Sequence, residues 1–495
     1  MWLLITCTMV TTLYATTITI ANVSLPQIQG ALSASPDQVA WIVTANLIAT
    51  AVTIPLAGWI SNRFGRRRAM IWGITGFAFA TLMCGLSTSL TELVFWRIIQ
   101  SAFGSPLTPI AQSVVIDNFP GPKRSKALAI YSMGVSVPPT IAPVLGGYVS
   151  EEISWRWVFF ILLPLALIAL IGVLAAVKPD PPPEERRRLD WIGFLSLSIT
   201  VACIQLMLDR GERQEWFDSP EIIIECALAI IFGWIFLAHS LTSERPFLDP
   251  RLLLDRNFAL GIGIAAVFGA LFVTPMVLMP AMLQQLRDLP ELTVGTLIAA
   301  RGAGTVLSML IVIAFANSWD PRILFLIGFG MHTYAGFDMA QFDQNVSLSD
   351  VIWAMAIQGF GVGWLWVPMS LVIFSNLDPR RSPEGAAFFH FVRSIASSYF
   401  ISASIIVVFH TQKMTYSELT RWINPYATHF SFERPTGGWN IESPEGLAGI
   451  AGELASQSTN IGFINAFNLY LWTSLVVYPL IALIVWPPSG YRPQK

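Results

Sequence analysis

Fourteen apolar runs, each about 20 residues long, take up most of this 495-residue chain. A helix of about 20 residues, rising 1.5 Å per residue, crosses about 30 Å of hydrocarbon. A spanning strand needs only about half that number. Because only helices and closed barrels satisfy every backbone amide in lipid, runs of this length confine the chain to an all-α integral membrane bundle. Their approximate limits are 2–21, 38–60, 69–88, 91–116, 126–149, 156–177, 190–208, 221–241, 258–284, 294–316, 322–341, 350–375, 385–410 and 463–486. The first run has no basic flank and no small-residue cleavage site after it, so it reads as a retained span rather than a signal peptide. Only 12% of the residues are charged, against 54% apolar; a soluble domain carries about 25% charged residues.

The basic residues alternate from connection to connection. Lys and Arg concentrate within 62–68, 122–126, 178–188 and 243–256, whereas the intervening connections hold only scattered ones such as Arg210, Arg213 and Arg287. On the positive-inside rule this places both termini in the cytoplasm. A net charge of −2 gives no electrostatic reason to expect a nucleic-acid partner. Cys7, Cys84, Cys203 and Cys226 all lie within apolar runs at no metal-ligand spacing, so neither a disulfide framework nor a metal site is expected. No Ser/His/Asp set and no phosphate-binding loop is visible, so the chain is not expected to be an enzyme or to need a cofactor. Its loops are too short for a soluble sensor domain.

A short internal echo organises the runs. Ile99-Gln100-Ser101-Ala102-Phe103-Gly104 in the fourth run resembles Ile357-Gln358-Gly359-Phe360-Gly361 in the twelfth, and Pro109 and Pro368 follow them. Setting aside runs seven and eight leaves two blocks of six with the echo fourth in each, a known transporter plan with its site between the halves. The expected organisation is an N-terminal half over 1–177, two additional spans over 178–257, and a C-terminal half over 258–495 with a long outer loop at 411–462. The echo is unequal at one point, since Met355 stands where the first half has Arg97.

Arg97 is a charge inside a membrane-length run, which costs at least about 2.5 to 3.5 kcal/mol unless it faces water or a partner within the bundle. Arg301 and Arg393 raise the same question in the second half; Arg393 reads equally well as a cavity residue or as a structural donor to carbonyls. The carboxylates at membrane depth are few. Glu225 lies in the eighth run, Asp338 near the outer part of the eleventh, and Asp209 at the end of the seventh beside Arg210. His390 could titrate near neutral pH, but a single histidine reads more simply as a satisfied polar residue.

Several motifs, in order, resemble the major facilitator superfamily, and within it the 14-span drug:proton antiporters of the multidrug resistance protein B type. Gly58-Trp-Ile-Ser-Asn62-Arg63-Phe-Gly65-Arg66-Arg67-Arg68 resembles the family's cytoplasmic signature between spans two and three. Arg97 with Gln100 resembles its span-four signature, and Ala142-Pro143-Val-Leu-Gly146-Gly147 its span-five antiporter motif. Ser154-Trp155-Arg156-Trp157, Leu208-Asp209-Arg210-Gly211 and Arg301-Gly302 fall where the subfamily has similar residues. The resemblance implies a major-facilitator-type fold and proton-coupled export of small lipophilic molecules by alternating access. It also implies a substrate-binding or coupling set of Arg97, Gln100, Thr17, Asn22, Gln358 and Arg393.

The same resemblance assigns gating to Gly58, Asn62, Arg63, Gly65, Arg66 and Arg67 in the cytoplasmic loop, and to Pro143, Gly146 and Gly147 in span five. Physically, arginines between helix ends can bond terminal carbonyls, while glycines and prolines in one helix permit close packing and bending. Two departures alter the expectation. Asn62 replaces the family's aspartate, so a latch there is expected to run on neutral hydrogen bonds. Thr17 replaces the aspartate that usually precedes the Ile20-Ala21-Asn22-Val23 run, so Arg97 lacks its obvious counter-ion. A facilitator without proton coupling, or an exporter of one metabolite, therefore stays open. Aromatic residues in 411–462 read either as interfacial anchors or as a docking surface for a periplasmic adaptor.

Overall fold

In the computed structural model of the protein, residues 1–119, 123–179, 188–244, 246–315, 319–375, 377, 381–423 and 443–485 are described. All regular secondary structure among them is helical. The first half comprises α1 (Trp2–Val23), α2 (Leu25–Ala31), α3 (Pro36–Thr53), α4 (Leu56–Phe64), α5 (Arg66–Leu86), α6 (Leu90–Gly104), α7 (Leu107–Asn118), α8 (Lys123–Ser136), α9 (Pro138–Glu152), α10 (Trp157–Phe160) and α11 (Leu162–Ala176). Next come α12 (Trp191–Arg210) and α13 (Pro220–Thr242). The second half comprises α14 (Arg256–Arg287), α15 (Glu291–Phe315), α16 (Pro321–Met339), α17 (Leu348–Ile373), α18 (Ser382–Thr420), α19 (Pro444–Leu475) and α20 (Val477–Ala482).

Local chemistry sets many of these boundaries. Ser35 opens α3 with a capping box shared with Gln38, and Ser89, Asp190, Asp255 and Ser347 each cap a helix by accepting a backbone N–H. Proline divides several of the expected spans, because it lacks the backbone donor and its ring crowds the preceding turn. Pro55 separates α3 from α4, which meet at 52°. Pro106 separates α6 from α7, and Pro138 begins α9 directly after the break that ends α8.

Two expectations change here. Eleven described helices are long and apolar enough to cross a membrane, or twelve with the bent α3–α4 pair counted as one span; a count of fourteen is not fixed by them. The runs expected at 91–116 and 322–341 fall short. One is interrupted at Ser105-Pro106 and carries Arg97, Gln100 and Gln112, and the other carries His332, Thr333 and Asp338 in a 19-residue helix. The segment expected as a loop at 411–462 is helical at both ends, since α18 continues to Thr420 and α19 begins at Pro444. Its residues 424–442, including Tyr426 and Trp439, lie outside the described residues.

The halves meet along a seam where α7 and α4 pack on α18, α8 on α17, and α9 on α15. Within the second half, glycines bring backbones into contact. A Cβ at Gly359 would overlap the Arg301 carbonyl oxygen and stand 2.7 Å from its carbon, and a Cβ at Gly304 would lie 2.9 Å from the Phe360 nitrogen. Helix α12 packs against α3 of the first half and α18 of the second, with α13 outside it. Of the two expected additional spans, the first therefore sits across the seam and the second lies outside it.

Candidate functional site

Arg97 on α6 is 1% exposed. Its Nη1 donates to Gln100 Oε1 at 2.7 Å, Gln100 Nε2 donates to Thr81 Oγ1 at 2.7 Å, and Thr81 Oγ1 donates to the Phe77 carbonyl. The guanidinium lies 5.9 Å from the Phe159 ring centre. No carboxylate forms a salt bridge with it among the described residues, and its Nε has no hydrogen-bond partner there. Thr17 does not fill the gap. Its buried hydroxyl donates back to the Leu13 carbonyl at 3.0 Å, within its own helix. Asn22 belongs to α1, but its side chain lies outside those described.

Gln358 belongs to a matching arrangement in the second half. Arg301 Nε on α15 donates to Gln358 Oε1 on α17, and Gln358 Nε2 donates to the Leu271 carbonyl at 3.3 Å. Arg301 Nη2 also donates to the Phe272 carbonyl at 2.8 Å, and Nη1 donates across the seam to Thr140 Oγ1 of α9 at 3.3 Å. The sequence echo between Gln100 and Gln358 thus becomes two arginine–glutamine pairs. The first pair sits on one helix, while the second draws its arginine from a neighbour because Met355 occupies the equivalent position. Arg393 is held differently, with its guanidinium 5.4 Å from the Trp366 ring centre and its Nε without a hydrogen-bond partner among the described residues.

A second crossing of the seam was not legible in sequence. His390 Nε2 of α18 lies 2.5 Å from Gln112 Oε1 of α7, and Gln112 Nε2 donates to Ser370 Oγ of α17 at 3.3 Å. The available signal was a glutamine twelve positions beyond Gln100 in the same run, which nothing in the sequence paired with a histidine far along the chain.

The cytoplasmic-loop residues divide by task. Gly65 ends α4 at φ 82°, a conformation that favours glycine. Arg63 occupies the last turn of α4. Arg66 pairs with Asp117 at the end of α7 at 2.5 Å, and Arg67 Nη2 donates to the Leu174 carbonyl in the last turn of α11 at 2.8 Å. The expectation of a purely neutral latch is therefore corrected, because Asp117 supplies the carboxylate that position 62 lacks. Both contacts bind the first half to itself, whereas Gly58 touches the second half, a Cβ there lying 3.4 Å from Glu384 Cα. Because the Arg66 and Asp117 side chains stay in contact with solvent, 23% and 24% exposed, Asp117→Asn is expected to lower stability by only about 1 kcal/mol or less, measured by thermal unfolding in detergent. In span five, Pro143 lies inside α9, Gly147 is buried, and a Cβ at Gly146 would lie 2.9 Å from the Ile20 carbonyl oxygen of α1.

A cavity of about 800 Å³ opens at the end of the seam that carries the basic connections. Gly58 and Asn62 of α4, Asp190 and His239 of the additional helices, and Arg381 and Glu384 beside or within α18 contribute to its wall. His239 Nε2 lies 2.9 Å from Asp190 Oδ1, and Arg381 pairs with Asp249 at 2.6 Å and with Glu384 at 3.3 Å. Of the expected coupling set, Arg97, Gln100, Thr17, Gln358 and Arg393, the members whose side chains are described, do not line this cavity; Asn62 and Gly58 of the gating set do.

A helical bundle of membrane-length segments, built as two halves with paired buried arginine–glutamine contacts, defines a multi-pass membrane protein of the two-halved transporter architecture. The chain belongs to the Major Facilitator Superfamily, whose family model matches residues 7–401. It is 33% identical over 480 residues to the multidrug export protein EmrB of Escherichia coli K12, covering 95% of this chain and 92% of that one. It is 27% identical over 475 residues to the fatty acid resistance protein FarB of Neisseria gonorrhoeae, covering 94% and 92%. Among solved structures, the human organic anion transporter MFSD10 aligns with a TM-score of 0.62 at 12% identity over 97% of this chain and 98% of that one. The proton:xylose symporter XylE aligns at 0.58 with 14% identity over 94% and 98%. These two likenesses concern the fold.

Proposed function

We propose that this protein is a proton-coupled exporter of amphipathic small molecules, working by alternating access between its two halves, and not an enzyme. The observation that carries this reading is the similarity over 95% of the chain to a protein named for multidrug export. The membrane is the bacterial inner membrane, with both termini in the cytoplasm, as the alternation of basic connections supports. Arg97 is the residue on which substrate or coupling turns, since it is a buried cation whose described hydrogen bond goes to a neutral glutamine.

The charge pattern narrows the substrate class. Arg97, Arg301 and Arg393 supply positive charge at membrane depth, and Thr17 stands where the family's carboxylate would be. Neutral and weakly acidic lipophilic compounds fit this balance better than dications, and the relative named for fatty acid resistance points the same way. The helical extensions of α18 to Thr420 and of α19 from Pro444 are the surface on which a periplasmic adaptor would dock. In reconstituted vesicles, a lipophilic weak acid is expected to be extruded with a matching proton flux and a dicationic dye to be ignored. Strong extrusion of the dye with no movement of the acid overturns the substrate class, and export without proton flux overturns the coupling.

A further inference from the structure

Asp209 is the next-to-last residue of α12, at the end of the seam away from the basic connections. Its Oδ2 accepts from Thr44 Oγ1 of α3 at 2.8 Å. Its Oδ1 accepts from Ser402 Oγ of α18 at 2.5 Å and from Gln205 Nε2 on its own helix at 2.8 Å. Gln205, 2% exposed, is itself held by Ser398 Oγ of α18 at 2.7 Å. One carboxylate on an additional helix thus takes hydrogen bonds from both halves at once.

The geometry points to Asp209 as a positioning residue for transport, a clasp through which α12 holds α3 and α18 together and keeps that end of the seam closed. This inference rests on the alternating-access reading above. The surrounding charges leave the clasp to neutral donors. Arg210, next in sequence, pairs with Glu221 at 2.5 Å and Glu225 at 3.6 Å on α13, and lies 5.7 Å from the Trp41 ring centre on α3. Glu212 and His410 face each other at 3.7 Å beyond the helix end, and Arg393 and Lys413 lie further along α18 in either direction. A carboxylate accepts at both oxygens, and hydrogen bonds to a charged group are stronger than neutral ones, so three donors around Asp209 make a firm contact that still separates without breaking a salt bridge.

The contact between Gln112, Ser370 and His390 supplies a second crossing toward the other end of the seam. His390 and Ser402 are about 18 Å apart along α18 at 1.5 Å per residue. Rocking of the halves can therefore open one crossing while the other stays made, which is what alternating access requires.

The test uses the full-length protein in lipid, with its four native cysteines replaced and spin labels at Gln38 and Lys413. Asp209→Asn, which removes the charge and turns one acceptor into a donor, is expected to shift the closed-to-open ratio by about tenfold to a hundredfold toward the longer label distance, the worth of one hydrogen bond to a charged group. Asp209→Glu restores most of the short-distance population, and Thr44→Ala and Ser402→Ala shift it in the same direction as Asp209→Asn by less. Unchanged distances in Asp209→Asn overturn the clasp; if that variant does not fold, unchanged distances in both Thr44→Ala and Ser402→Ala do so. The distances report the clasp independently of transport. A wild-type protein that extrudes neither compound class overturns the exporter reading, while the label response still decides the role of Asp209.

Discussion

Arg97→Met is expected to lower efflux about a hundredfold while leaving the protein folded and inserted. Methionine fills much of the same volume and removes a charge whose burial is costly in lipid. The penalty of leaving Gln100 Oε1 without its donor, about 1 to 3 kcal/mol, falls within what a large bundle can absorb. The transport loss follows because methionine offers a substrate neither a hydrogen-bond donor nor a positive charge. Arg97→Lys should be intermediate, since an ammonium keeps the charge and loses the planar fork. Initial efflux rates in vesicles, read beside thermal unfolding in detergent, check both halves of the expectation. Full proton-driven efflux from Arg97→Met would make Arg97 a purely structural residue.

Gly359→Ala is expected to have the largest effect on stability. The added Cβ meets the backbone of Arg301, and two helix backbones cannot yield as a flexible side chain would. Helices α15 and α17 must separate, and the contact between Arg301 and Gln358 is lost with them. Overpacking of this kind costs about 1 to 3 kcal/mol or more. Gly330→Ala on α16 serves as the control, because a Cβ there meets nothing within 4 Å and alanine is the better helix former. A lower melting temperature and a poor monodisperse yield for Gly359→Ala, with Gly330→Ala unchanged or slightly stabilised, is the expected pair of results. Equal behaviour of the two variants contradicts the close-packing account.

The bundle was legible in sequence because hydrophobic length is a local property: each run declares itself without reference to any other. Arg97 and Gln100 were legible for the same reason, being three residues apart on one helix and so on one face. What the sequence could not supply was pairing between distant elements. Arg301 reaches Gln358 across 57 positions, His390 reaches Gln112 across 278, and Asp209 reaches Ser402 across 193. Asp117 belongs with these pairs, since it meets Arg66 from the end of another helix, 51 positions away, and not from the loop in which position 62 lies. Helix ends depart from hydrophobic length where polar residues continue a helix beyond the apolar run, as at Gln412 to Thr420.

The breaks between α3 and α4, α6 and α7, α8 and α9, and α10 and α11 all fall in the first half. The second half has one such break, between α19 and α20, and otherwise runs in long helices, up to 39 residues in α18. The two halves are therefore divided unlike: the first is cut into short helices at several points, while the second keeps Pro275, Pro280 and Pro368 inside the long helices α14 and α17. Sharp bends in a helix occur at proline and at such breaks, so the places where a span can bend are distributed unequally between the halves. Two-fold likeness of fold does not carry over to likeness of joints.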